Sequence, residues 1–241
     1  MREKVAVIVG AGDAIGSAIT QKFAQRGLAV CALRRNGDKL APLVDTLRSQ
    51  GHEAYAYSCD ARKEDEIIAR FAAIEQDIGD IEVVVFNVGA NVPMGILDTD
   101  SRKFFKIWEM ACFAGFLTGR EAVRLMTKRG RGTIIFTGAT ASVRGAAGFA
   151  AFASAKHGLR ALAQSMAREL GPQNIHVAHV VIDAAVDTAW IHENLPHAAA
   201  LKENDGIVDP AALADNYVVL YDQPRNAWTF ELDLRPWIER W

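Results

Sequence analysis

Phe152 and Lys156 stand four residues apart in a stretch that reads as a helix, so both lie on one face of it. The lysine brings an ammonium with three hydrogens to donate. The ring beside it can shape a pocket but cannot pass a proton. Groups that can carry one stand nearby in sequence, at Thr140, Ser142 and Ser154. Asp183 is a further candidate proton donor, because it ends a late apolar run, where open α/β sheets bind their ligands. An aspartate in that place could also cap a turn or helix.

A second set of residues suits phosphate chemistry. The run Val9-Gly10-Ala11-Gly12-Asp13-Ala14-Ile15-Gly16 leads from a first apolar strand into a helix. Glycines let a backbone turn tightly and approach a pyrophosphate, and a helix N-terminus then offers N–H donors and a positive dipole end. A plain tight turn is the alternative, but the strand–turn–helix context at the start of the chain favours a dinucleotide site. Arg34 and Arg35 end the second strand. An acid there binds the ribose 2′-hydroxyl of NAD, whereas arginine accommodates the 2′-phosphate of NADP. Unless they are simply two solvated arginines, they favour NADP(H) over NAD(H).

The elements that would position these groups alternate along the chain. Short apolar runs at 4–9, 28–33, 53–58, 81–86, 133–136 and 175–182 read as strands buried on both faces. Helical patterns fall at 14–26, 38–50, 63–78, 101–128, 152–170 and 210–221, with a mobile helical segment expected at 187–202 and a last strand at 228–232. This alternation predicts a single α/β domain over residues 1–241, a doubly wound parallel sheet of about seven strands with helices on both faces. The polar, Trp-bearing tail at 224–241 is expected to pack at a subunit interface, with packing on its own domain as the alternative.

Bulk composition narrows the functional classes. The chain has 241 residues, half of them hydrophobic, and a net charge of −2, which points away from nucleic acid and from anionic membranes. Cys31, Cys59 and Cys112 show no CxxC spacing, so neither a disulfide framework nor a zinc site is expected. His176 and His179 fall on opposite faces of a strand, and no metal site is expected from them. No signal peptide or membrane span is read, so a cytoplasmic location is expected.

Taken together, the glycine loop, the Asn87-Val88-Gly89 turn and the Phe152–Lys156 pair resemble the short-chain dehydrogenase/reductase family. The resemblance covers essentially the whole chain and implies a Rossmann-type oxidoreductase that forms a homodimer or homotetramer and acts on a small-molecule substrate or effector. It implies cofactor contacts at Gly10, Gly12, Asp13, Ala14, Ile15, Gly16, Asp60, Ala61, Asn87, Val88, Gly89, Lys156 and Thr188. Asp60 would cap the adenine, or else the following helix. Lys156 would hold the nicotinamide ribose. The family's catalytic Tyr position is Phe152, its Ser position Ala139 and its Asn position Cys112. Two readings follow: an oxidoreductase with a non-standard proton donor, or an inactive NADP-binding sensor or scaffold.

Overall fold

The computed structural model describes residues 2–12, 14–89 and 91–240; Asp13, expected in the phosphate loop, and Trp241, in the tail, lie outside them. Seven strands form one sheet: β1 Glu3–Val9, β2 Ala29–Arg34, β3 Ala54–Ser58, β4 Gly79–Phe86, β5 Gly132–Thr137, β6 Ile175–Ile182 and β7 Glu231–Leu234. Their order is β3-β2-β1-β4-β5-β6-β7, and every neighbouring pair is parallel. The reversal of order beside β1 opens a crevice at the carboxyl ends of β1 and β4, where doubly wound sheets bind ligands.

Valine and isoleucine dominate the central strands, and side chains alternate between two helical layers. One layer holds α1 Ile15–Gln25, α2 Ala41–Ser49 and α9 Pro210–Asp222, with Ile19, Phe23 and Tyr217 buried against Ile8, Val30 and Val85. The other holds α3 Glu64–Asp77, α5 Ala114–Arg129 and α6 Ala150–Leu170, with Phe71 and Leu159 against Phe86 and Phe136. The two shorter helices, α7 Ala189–Asn194 and α8 Ala198–Glu203, stand where one helical segment was expected. The break at His197, whose φ is +67°, separates them.

Two further boundaries differ from the sequence reading. The long helix at 101–128 is α4 Ser101–Trp108 and α5 joined by a π-helical turn, Glu109–Phe113. Gly158 on α6 comes so close to this turn that a Cβ there would lie 2.9 Å from the Cys112 sulfur. The last strand begins at Glu231 rather than 228, because Trp228 and Thr229 are engaged with Gln223 in the preceding loop. Within the tail, Trp237 donates its indole N–H to the Asn204 carbonyl at 3.1 Å, and Glu239 faces Arg144 at 3.7 Å.

Strand β7 is tied to its neighbour through charge. Glu231 accepts a bidentate pair from Arg160 at 2.6 and 2.7 Å and faces His179 Nδ1 at 3.0 Å. His179 is fully buried, and burial outweighs the nearby carboxylate, pushing its pKa down to about 4. The unfolded chain therefore binds a proton below the ordinary histidine value of 6.5 that the folded protein refuses until about pH 4. Stability contributed by neutral His179 is complete above pH 6.5 and is lost as the pH falls toward 4, by on the order of 3 kcal/mol. Urea denaturation across this range should show that loss in the wild type and a distinctly shallower one in His179→Gln.

Candidate active site

Two adjoining cavities of about 500 and 600 Å³ occupy the crevice and share Gly10, Gly12 and the Asn87–Gly89 turn. Gly10 has φ +90° and a Cβ on it would meet the Asn87 carbonyl oxygen at 2.5 Å, so only glycine fits. The Asn87 amide closes the same contact by donating to the Gly10 carbonyl at 3.0 Å. Ala14, Ile15 and Gly16 line the larger cavity. Among the described residues no side chain caps the N-terminus of α1, and the third N–H, of Ser17, goes to the Gly12 carbonyl at 2.9 Å. The N–H groups of Ile15 and Gly16 face the start of the helix, where an anion is favoured, and nothing among the described residues stands within 4 Å of a Cβ on Gly12. A dinucleotide pyrophosphate fits this loop.

The smaller cavity is basic. Arg34, Arg35, Lys39 and Arg62 line it with Cys59, Asp60 and Ala61. Asp60 does not cap the helix that follows, since Lys63 holds that place. Its carboxylate instead takes the Arg62 guanidinium at 2.9 and 2.6 Å and the Arg62 N–H at 3.2 Å. The hydrogen bonds from Arg62 hold the Asp60 carboxyl below its usual pKa. Arg62 was not legible as a site residue from sequence; the Asp-x-Arg spacing was the available signal.

The larger cavity is mainly apolar, walled by Ala139, Ala141, Phe149, Phe152 and Ile182. Phe152 and Lys156 both line it, with the ammonium 5.9 Å from the ring centre. Lys156 is 3% exposed and donates to the Val88 carbonyl at 3.1 Å and the Thr137 carbonyl at 2.9 Å. A third hydrogen remains for a ligand. Burial brings its pKa down to about 8. Thr188 also lines the cavity, its hydroxyl accepting from Ile191 N–H at 3.1 Å as the cap of α7.

Asp183 lies behind this wall rather than in it. It is 3% exposed, and Oδ1 accepts from the Thr140 hydroxyl at 2.6 Å and from Arg144 at 3.0 Å. Thr140 and Arg144 are the members of this cluster that line the cavity. Arg144 escaped the sequence reading because its partner stands 39 residues away, and no local pattern announces such a pair. Cys112 packs against Gly158 outside the cavity lining. Among the described residues no cluster of three His, Cys, Asp or Glu side chains could hold a metal.

The seven-stranded parallel sheet agrees with the comparisons with known proteins. The short chain dehydrogenase family model matches residues 4–197. The chain belongs to the short-chain dehydrogenase/reductase family. Carbonyl reductase family member 4 of Danio rerio is 30% identical over 72% of this chain and 72% of its own length. A short-chain dehydrogenase structure from Rhodopseudomonas palustris superposes with a TM-score of 0.85 at 51% identity, covering 98% of this chain and all of the other. A metagenomic short-chain oxidoreductase in complex with NADP superposes at 0.83 with 25% identity, covering 99% of each chain. This short-chain dehydrogenase is thus an oxidoreductase by family, and no helix among its described residues is long and apolar enough to cross a membrane.

The depressed pKa of Lys156 is directly measurable. Carbon-13 spectra of protein labelled at lysine Cε should show one resonance titrating near pH 8. That resonance should vanish in Lys156→Met, and a titration near the ordinary lysine value would contradict the burial described.

Proposed function

We propose that this chain is an NADP(H)-dependent oxidoreductase that works without a phenolic proton donor. The observation that carries the cofactor choice is the cationic wall of the smaller cavity. Arg34, Arg35, Lys39 and Arg62 surround one space, and Asp60, the lining carboxylate among the described residues, is matched by Arg62. A 2′-phosphate suits that wall, since guanidinium groups chelate phosphate oxygens. The NADP in the metagenomic relative supports the same reading.

Gly10, Gly12 and the first turn of α1 would hold the pyrophosphate. The remaining Lys156 hydrogen would hold the nicotinamide ribose, with the Asn87–Gly89 turn beneath it. Bound there, the cofactor supplies hydride transfer. Phe152, at the family's Tyr position, offers the substrate a flat apolar contact and no proton. Ala139, at the Ser position, adds none either. The proton must therefore reach or leave the substrate through another group of the apolar cavity.

For assembly, we propose a homodimer or homotetramer. A ladder of stacked rings, Phe105–Trp108–Phe113–Phe116, runs along α4 and α5, with Phe105 58% and Phe116 38% exposed, and supports pairing through these helices.

Calorimetry should find NADPH binding at least tenfold tighter than NADH, the scale of one charged hydrogen bond of about 1.5 kcal/mol or more. The double variant Arg34→Asp, Arg35→Asp should erase that preference, and equal affinities in the wild type would sink the cofactor assignment. A placed general acid is worth roughly 10²–10⁴ in rate. Phe152→Tyr should accordingly speed NADPH-dependent reduction of simple ketones by about 10²-fold; a wild type already as fast would show that Phe152 is not limiting.

A further inference from the structure

With the phenol absent, four groups could meet the reacting oxygen of a substrate: Ser142, Ser154, Asp183 and Thr140. The fold removes three of them. Ser142 is fully buried and accepts from the Ala139 N–H at 3.1 Å. Ser154 is exposed and donates to the Ala151 carbonyl at 2.9 Å, outside the cavity lining. Asp183 lies behind the wall. Two other hydroxyls border the cavity: Thr137 is paired with Tyr217 at 2.8 Å, and Thr188 accepts from the Ile191 N–H as the cap of α7 and keeps its own hydrogen to donate. Thr140 is the lining hydroxyl that stands next to Ala139, in the same cavity as Phe152 and Lys156.

The direction of the Thr140 hydrogen bond decides what this hydroxyl can bind. Its partner at 2.6 Å is a carboxylate oxygen, which has no hydrogen to give and already accepts from Arg144. The threonine hydrogen therefore points at Asp183, and the oxygen offers the cavity only lone pairs. A ligand oxygen that meets it must bring its own hydrogen. A hydroxyl does so and a ketone oxygen does not. Arg144, which also faces Glu239, holds the carboxylate in that orientation. The apolar walls from Ala141, Phe149 and Ile182 suit a hydrocarbon body around the hydroxyl.

We infer that Thr140, oriented by Asp183, is the residue that binds the substrate's reacting oxygen, and that it selects the alcohol over the ketone. This rests on the oxidoreductase reading of the same cavity. Thr140 is the contact, and Asp183 and Arg144 are positioning residues.

The test uses two probes with one apolar body, 1-phenylethanol and acetophenone, titrated into the full chain and followed by protein NMR shifts. The alcohol should bind about tenfold tighter than the ketone, the discrimination expected when a buried acceptor is left unpaired. Thr140→Val should weaken the alcohol to the level of the ketone and leave the ketone unchanged, while Thr140→Ser retains the preference. Asp183→Ala frees the threonine hydrogen to turn into the cavity, so ketone affinity should rise. A merely structural role would weaken both probes together. Equal binding of the two by wild type, an alcohol preference that survives Thr140→Val, or no saturable binding of either overturns the inference. NADPH calorimetry on the same samples separates the outcomes: loss of cofactor binding counts against the cofactor reading, and the ratio of probe affinities counts against Thr140.

Discussion

The crevice of this protein is arranged around one buried ammonium. Lys156 carries its charge into a site that is 3% exposed, where its ammonium donates to the Val88 and Thr137 carbonyls. Taking an ion out of water costs several kcal/mol unless hydrogen bonds replace the lost hydration. Two carbonyls do so in part, and each belongs to the chain just at or past a central strand, β4 or β5. The lysine therefore requires those two strand ends to stand at a set separation, with α6 laid across them. Gly158 permits that placement by letting the π-helical turn at Cys112 come close. The unmet part of the hydration appears as the lowered pKa of the amine. An anionic ligand beside it would restore what burial removed.

Charge elsewhere in the crevice follows a common pattern. Asp60 is matched by Arg62 at one end and Asp183 by Arg144 at the other. Each pair orders its neighbours more than it stabilises the fold. Arg62 carries a positive edge into the smaller cavity, which Arg34, Arg35 and Lys39 also line. Arg144 fixes the Asp183 oxygen that takes the hydrogen of Thr140. The two ends differ in what surrounds these pairs. The smaller cavity is walled by cations, and the larger by alanine and phenylalanine. In the apolar end the orientation of a hydroxyl decides whether it can donate to a ligand or only accept from one.

How much of this was legible in the residues depends on how far apart the interacting groups lie. The strands announced themselves because burial on both faces demands continuous runs such as Val5–Val9 and Ile81–Phe86. The phosphate loop did too, since Gly10 has a φ and a close approach that only glycine accepts. The Phe152–Lys156 pair was legible because helical spacing puts both on one face. Asp183 was marked as interesting from its strand end, although its orientation was not. The π-helical turn at Glu109–Phe113 interrupts what the sequence pattern reads as one continuous helix.

The amino-acid sequence by itself determined the alternating elements, the tight turn at Gly10 and the absence of a phenol at Phe152. Each is a property of neighbouring residues: period, φ preference or side-chain chemistry. The tertiary structure alone decided which polar groups reach the crevice. It buried Ser142, turned Ser154 outward, set Asp183 behind Thr140 and brought Arg144 to both. Those outcomes depend on contacts between residues tens of positions apart, as from Thr140 to Asp183, and such contacts exist only once β5 and β6 lie side by side in the sheet.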